Sequence, residues 1–258
     1  MITLTTDFGL KDPYVAEMKD VILSINPQAN ILDVVHEVDK FSVRMGAYML
    51  ASVAPYFPDG AVHVAVVDPG VGTSRRAIVV QTKRACFVGP DNGVLMLAAK
   101  AQGIEHIYEL SDPKFMLPQV SSTFHGRDIF APAAARLDMG VAACEFGAEI
   151  TDAITPTYAT VKRKDGALIG EVLNVDGFSN AITNLTQKDL AQATSLKVNF
   201  NHVSLQLAST KAYGEVEPQK ATALVGSSGF LEIALNQSSF AEKYRVKVGD
   251  RVEVALDY

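Results

Sequence analysis

The first half of the chain alternates between two hydrophobic periods. Short runs rich in β-branched residues at 2–6, 31–35, 61–67, 77–80, 85–88 and 104–110 read as strands. Between them, 14–26 carries Val15, Met18, Ile22 and Ile25 at helical spacing and stops before Pro27, and 43–54 puts Ala47, Leu50 and Ala54 on one face before Pro55. Two further helices are expected at 93–101 and along the alanine-rich stretch 129–137. Strands and helices in alternation predict an α/β domain with helices on both faces of a largely parallel central sheet. After Thr155 the pattern changes. Runs at 169–175, 196–200, 203–207, 221–225, 231–235 and 252–256 are short and alternating, separated by Asp176-Gly177, Asn201-His202, Ser227-Ser228-Gly229 and Gly249-Asp250. They predict a smaller all-β domain, a barrel or a sandwich. Pro156 and the charged patch Lys162-Arg163-Lys164-Asp165-Gly166 mark the join, giving an expected division into 1–160, a linker at 161–167, and 168–258.

Composition narrows the partners. The 258 residues are 48% hydrophobic, enough for a sizeable core, and 29 acidic against 23 basic residues give a net charge of -6. No lysine or arginine run is present, which argues against a nucleic-acid partner and favours a small or cationic ligand. The start of the chain lacks the pattern of a signal peptide and no apolar run reaches membrane length, so a cytoplasmic protein with no membrane partner is expected. Cys86 and Cys144 are too few for a zinc or disulfide framework and are expected to be buried thiols.

Chemistry concentrates in the loop Val66-Val67-Asp68-Pro69-Gly70-Val71-Gly72-Thr73-Ser74-Arg75-Arg76. The proline favours an extended backbone at Asp68 and points its carboxylate off the strand end, while Gly70 and Gly72 permit a tight turn that returns Arg75 towards it. Gly-x-Gly is followed by a strand rather than a helix, so this is no dinucleotide fingerprint. Asp7 also sits where a strand ends. Two acids on the ligand-binding edge of one sheet could clamp a sugar diol or a metal; the lesser alternative for Asp7 is a cap on the next helix. His125 precedes Gly126 at a helix entrance and reads either as a site residue or as a packed core imidazole. No His-Glu-x-x-His spacing occurs, so no metal is expected. In the second half, Asp176-Gly177-Phe178-Ser179-Asn180 and Gly226-Ser227-Ser228-Gly229-Phe230-Leu231-Glu232 are either turns or ligand loops, the latter with amides and hydroxyls suited to a carboxylate. Phe41 is either a stacking ring or a helix staple.

Taken together, Thr5-Thr6-Asp7-Phe8-Gly9, Val67 to Thr73, Gly89-Pro90-Asp91-Asn92-Gly93, Thr123-Phe124-His125-Gly126-Arg127-Asp128, Asp176 to Asn180 and Ser227-Ser228-Gly229 resemble the S-adenosylmethionine hydroxide adenosyltransferases, relatives of the fluorinating and chlorinating adenosyl enzymes. The match spans almost the whole chain in family order. The resemblance implies a homotrimer, with active sites where one subunit's N-terminal domain meets its neighbour's C-terminal domain. It implies that Asp68, Arg75 and His125 act on water and that Asp7 grips the ribose hydroxyls. Asp176 and the Ser227-Ser228 turn would then serve the methionine end and Asn180 the adenine end; Glu232, at the end of the serine loop, and Phe41 are further substrate-binding candidates. The activity implied is hydrolysis of S-adenosyl-L-methionine to adenosine and L-methionine, with no cofactor. Halide-using members tend to carry Tyr-Ser in place of His125-Gly126 and a tyrosine in place of Asp68, which disfavours halide transfer. The rival expectations are a non-catalytic adenosyl-ligand sensor, a halide-dependent synthase and a metal-dependent hydrolase.

Overall fold

A computed structural model describes residues 1–190, 193–200 and 203–257; the turn expected at Asn201-His202 lies outside them. The chain divides into two compact units, Met1–Pro156 and Thr157–Tyr258.

The first unit runs β1 (Ile2–Thr6), α1 (Tyr14–Ile25), β2 (Ile31–Val35), α2 (Val43–Val53), β3 (Ala61–Val66), β4 (Ala77–Thr82), β5 (Ala85–Pro90), α3 (Met96–Gln102), β6 (Ile104–Glu109) and α4 (Ala131–Asp138). Its sheet has the order β2-β1-β3-β5-β4-β6. The strands β2, β1, β3 and β5 are mutually parallel, but β4 runs antiparallel to both β5 and β6. The sheet is therefore mixed, not the largely parallel one expected. Only Lys83 and Arg84 separate β4 from β5, too little chain for a crossover, and a hairpin is the one connection that fits.

β3 is buried along its whole length, which explains why all its residues but His63 are apolar. Val62, Val64 and Val66 join Met18 and Ile22 of α1 and the alanines of α4 in one core. Val67 turns to the other side, where Gly46 of α2 comes so near that a Cβ there would lie 2.8 Å from its Cγ2. Of the thiols expected to be buried, Cys86 is half-buried and Cys144 is exposed.

The second unit runs β7 (Lys162–Lys164), β8 (Ala167–Val175), β9 (Ala181–Thr186), α5 (Gln187–Leu190), β10 (Ser195–Phe200), β11 (Val203–Thr210), β12 (Ala221–Val225), β13 (Phe230–Leu235), α6 (Phe240–Tyr244) and β14 (Arg251–Asp257). The order β14-β10-β11-β12-β13-β9-β8 closes through a β14–β8 pairing, so seven strands form a barrel and β7 pairs outside it on β8. Leu168, Val198, Leu231, Ile233, Val254 and Phe240 fill its interior.

Two stretches differ from expectation. Residues 161–167, read as a linker, contain β7 and the turn of its hairpin with β8; the three charged residues of β7 are exposed on its edge. The strand β9 went unread because Thr183 and Asn184 interrupt its apolar pattern. Both are nonetheless buried, and each finds partners: Thr183 Oγ1 donates to the Leu231 carbonyl at 3.0 Å, and Asn184 Nδ2 to that of Tyr158 at 3.0 Å. Among the described residues, no helix is long and apolar enough to cross a membrane.

Candidate active site

The strands β1 and β3 are parallel neighbours, so the residues just past their ends, Asp7 and Asp68, emerge at the same edge of the sheet. Both line a cavity of about 240 Å3, together with Phe8, Phe41, Phe124 and His125. Asp7 does not cap α1, whose first turn has no side-chain cap. Its Oδ2 instead accepts the Phe41 N–H at 2.9 Å, and Lys40 Nζ donates to its carbonyl. Phe41 adopts a left-handed backbone at φ 66°, unusual for an aromatic residue, and its ring is 69% exposed rather than stapled to the helix.

Between Asp68 and Arg75 the loop folds through successive turns, with Val71 N–H donating to the Asp68 carbonyl and Thr73 N–H to that of Gly70, both at 3.2 Å. At Gly72 (φ 75°) a Cβ would lie only 2.0 Å from the Ser122 carbonyl oxygen, so this glycine lets the loop lie against the one that carries His125. Arg75 Nη2 donates to Asp68 Oδ2 at 2.5 Å and meets His125 Nδ1 at 2.9 Å. Its Nη1 donates to the Arg76 carbonyl at 2.9 Å, and its guanidinium carbon stands 5.4 Å from the Phe130 ring centre. Arg75 thus lies behind Asp68 and His125, joining them, and is not itself part of the cavity wall.

These contacts fix a protonation state. A guanidinium only donates, so His125 Nδ1 must accept, which leaves the imidazole neutral with its proton on Nε2. Burial, and then the Arg75 charge, hold its pKa below the ordinary imidazole value, against the opposing pull of Asp68 and Asp128. Asp68 Oδ1 is buried and has no hydrogen-bond partner among the described residues. The site therefore presents one unsatisfied carboxylate acceptor beside a neutral imidazole.

His125 begins a π-helical turn, Gly126–Phe130, that leads into α4. The fully buried Asp128 on that turn accepts the Ser121 N–H at 2.7 Å and Arg127 Nε at 2.7 Å, tying the preceding loop to the turn. Asp128 was not singled out from sequence, because only burial distinguishes it from a surface acid beside an arginine.

The remaining candidates gather in the barrel unit. The Asp176 carboxylate accepts the N–H groups of Phe178 and Asn180 at 2.9 and 2.8 Å and Asn180 Nδ2 at 3.1 Å. The carboxyl of Glu232 accepts the Tyr213 hydroxyl at 2.5 Å and lies against Gly226, at the root of the Ser227-Ser228 turn. Burial, followed by the nearby Asp176 charge, raises its pKa, while the hydroxyl and Asn180 lower it. Asp176, Asn180 and Tyr213 also border a cleft of about 1540 Å3, which Ser227, Ser228 and Glu232 do not line. Nothing local in the sequence marks Tyr213, since its partner is nineteen positions away. Among the described residues, no three His, Cys, Asp or Glu side chains come together to hold a metal ion.

An α/β unit with paired acids on one sheet edge and a carboxylate–guanidinium–imidazole relay, followed by a closed barrel with its own acid cluster, defines a class of two-domain, small-ligand proteins. Within that class, the family models for the SAM hydroxide adenosyltransferase N-terminal and C-terminal domains match residues 2–147 and 170–253, and the chain belongs to this family. It is 38% identical over 257 residues to the (R)-S-adenosyl-L-methionine hydrolase of Salinispora arenicola, covering 98% of this chain and 97% of that one. A fluorinase from Nocardia brasiliensis is more distant, at 28% identity over 295 residues, covering 99% of this chain and 97% of that one. The crystal structure of an uncharacterized conserved protein from Thermotoga maritima superposes with a TM-score of 0.87 at 39% identity, covering 99% of this chain and all of that one (100%).

Proposed function

We propose that the chain hydrolyses S-adenosyl-L-methionine to adenosine and L-methionine, and that it takes the (R) form named for its relatives. The observation that carries the reading is the convergence of Asp68, Arg75 and His125 beside a cavity whose wall also holds Asp7. Attack by water on the ribose C5′ forms the new C–O bond as the C5′–S bond breaks. The electron pair leaves on sulfur, the sulfonium charge is consumed, and methionine departs as a neutral thioether.

Asp68 Oδ1 accepts a hydrogen bond from the attacking water and then that one proton, which passes to solvent. His125 Nε2–H holds the water oxygen in line with the breaking bond. The contacts support a guanidinium that acts from behind, fixing both neighbours and keeping a positive charge behind the groups that meet the forming hydroxide. Asp7 grips the ribose hydroxyls, and Phe41 covers the flat part of the substrate. Asp176 with Glu232 suits the methionine ammonium, Asn180 the adenine, and the Ser227-Ser228 turn the carboxylate. The family resemblance supports a homotrimer with active sites formed between subunits, and the composition and motifs of the chain support action in the cytoplasm without cofactor or metal.

The deciding experiment incubates purified protein with each separated sulfonium epimer and follows adenosine and methionine by chromatography, with and without chloride, fluoride or chelator. Equimolar adenosine and methionine, unaffected by chelator, are expected. Tight binding without products would make the chain a sensor, and a 5′-halo-adenosine would make it a synthase. Light scattering at the mass of a monomer or dimer would remove the trimer.

A further inference from the structure

We propose that Asp91 and Asn92 are positioning residues that grip the two ends of the Asp68–Arg75 loop and so set the register between the carboxylate and the guanidinium. The inference rests on the hydrolytic reading of that loop and adds two groups that touch neither cavity nor substrate.

The strand β5 ends at Pro90, which has no N–H to carry the ladder onward. The next two residues take over with their side chains. Asn92 Nδ2 donates to the carbonyl of Val67, the residue before Asp68, at 2.8 Å, and Asn92 Oδ1 is held by the Val94 N–H at 3.1 Å. The buried Asp91 holds the opposite end. Its Oδ2 accepts Arg76 Nε and Nη2 at 3.0 and 2.7 Å, its Oδ1 accepts the Ile154 N–H at 2.8 Å, and its own N–H donates to the Arg76 carbonyl at 2.9 Å.

That carbonyl is the oxygen on which Arg75 Nη1 rests at 2.9 Å. One backbone oxygen therefore links Asp91 to the guanidinium that meets His125. Adjacent residues on one strand end thus fix the backbone on either side of the loop, and the span between the two grips carries Asp68 and Arg75. A loop with two glycines would otherwise sample many arrangements, whereas a clamp at both ends leaves it little freedom. Asp91 and Asn92 could be seen in the sequence only as part of a family-like motif, with no role attached.

The test compares wild type with Asn92→Asp, which keeps the side-chain shape but sets a carboxylate against the Val67 carbonyl, and with Asp91→Asn. Each is made alone and on an Arg75→Ala background. A displaced loop should lower kcat by about 10- to 100-fold with KM within about twofold. On the Arg75→Ala background the same changes should cost less than about threefold, because the guanidinium with which they register Asp68 is gone. Losses that multiply across the two backgrounds, or a folded Asn92→Asp enzyme with wild-type kcat, would overturn the inference. If Asn92→Asp does not fold, Asn92→Ser and Asp91→Asn carry the same comparison.

The 15N shift of His125 Nδ1 reads the Arg75 contact independently of turnover. It should move in each variant made alone, and an unchanged shift there refutes the clamp. A wild-type protein that turns over neither epimer would instead refute the hydrolytic reading, leaving the nitrogen shift to judge the clamp.

Discussion

His63 lies midway along β3 with no exposed surface. Its Nδ1 meets the Thr3 hydroxyl at 2.8 Å, its Nε2 has no hydrogen-bond partner among the described residues, and its ring stacks on Phe87 at 5.0 Å between centroids. A proton there would create an imidazolium stripped of water, and burial pushes the pKa from 6.5 down to about 4. The sign follows directly. The unfolded chain takes up a proton as pH falls through 6.5, while the folded chain refuses it until about pH 4, so stability present above 6.5 is lost across that window. At about 1.4 kcal/mol per pH unit the whole window corresponds to about 3 kcal/mol, of which about 2 is gone by pH 5. Every paired carboxylate also weakens in acid, so the measurement is a difference: urea unfolding of wild type and His63→Gln at pH 7, 6, 5 and 4, with hydrogen exchange of β3 amides locating the change. The substitution costs stability at pH 7, but a glutamine side chain does not titrate, and the two curves should converge by about 3 kcal/mol on acidification. Parallel curves would show that His63 is protonated or solvated in the folded state and that the burial argument is wrong.

Asp68→Asn should reduce kcat by about 100-fold or more with KM little changed, whereas Asp7→Ala should mainly raise KM; steady-state kinetics on the (R) epimer separate the two. Because His125 works neutral and its pKa lies below the usual imidazole value, kcat/KM should fall in acid only below about pH 6.5. Asp128→Asn, by removing a charge that favours the protonated ring, should move that limb lower still in a pH–rate profile. Gly72→Ala forces a side chain into the Ser122 carbonyl at a left-handed backbone position, and should cost at least about 1–2 kcal/mol in thermal unfolding while lowering kcat.

Much of this protein is local. The β-branched runs, the i, i+3, i+4 spacing of α1, and the switch to short alternating segments after Thr155 each depend on neighbours a few positions away, so an α/β unit and an all-β unit could be read from them, while only the β14–β8 pairing decided for a barrel over a sandwich. Asp68 and Arg75 belong to one short loop, and two glycines already implied that it doubles back. The strand β9 escaped because Thr183 and Asn184 look like surface residues until the Leu231 and Tyr158 carbonyls are seen beside them. The antiparallel β4 was missed for a different reason: its two-residue link to β5 was present in the sequence but was outweighed by the alternation around it.

What the linear chain determined, then, is which residues are available at strand ends and which loops can turn tightly, since those follow from backbone sterics and short-range periodicity. Long-range contact decided the chemistry. That His125 accepts from Arg75 and keeps its proton on Nε2, that Asp68 retains an unsatisfied oxygen, and that Asn92 grips the carbonyl before it are outcomes of segments 25 to 50 positions apart being pressed together. A hydrogen bond of that kind has no signature in either of its ends; it exists because packing removes water from both and leaves them facing each other.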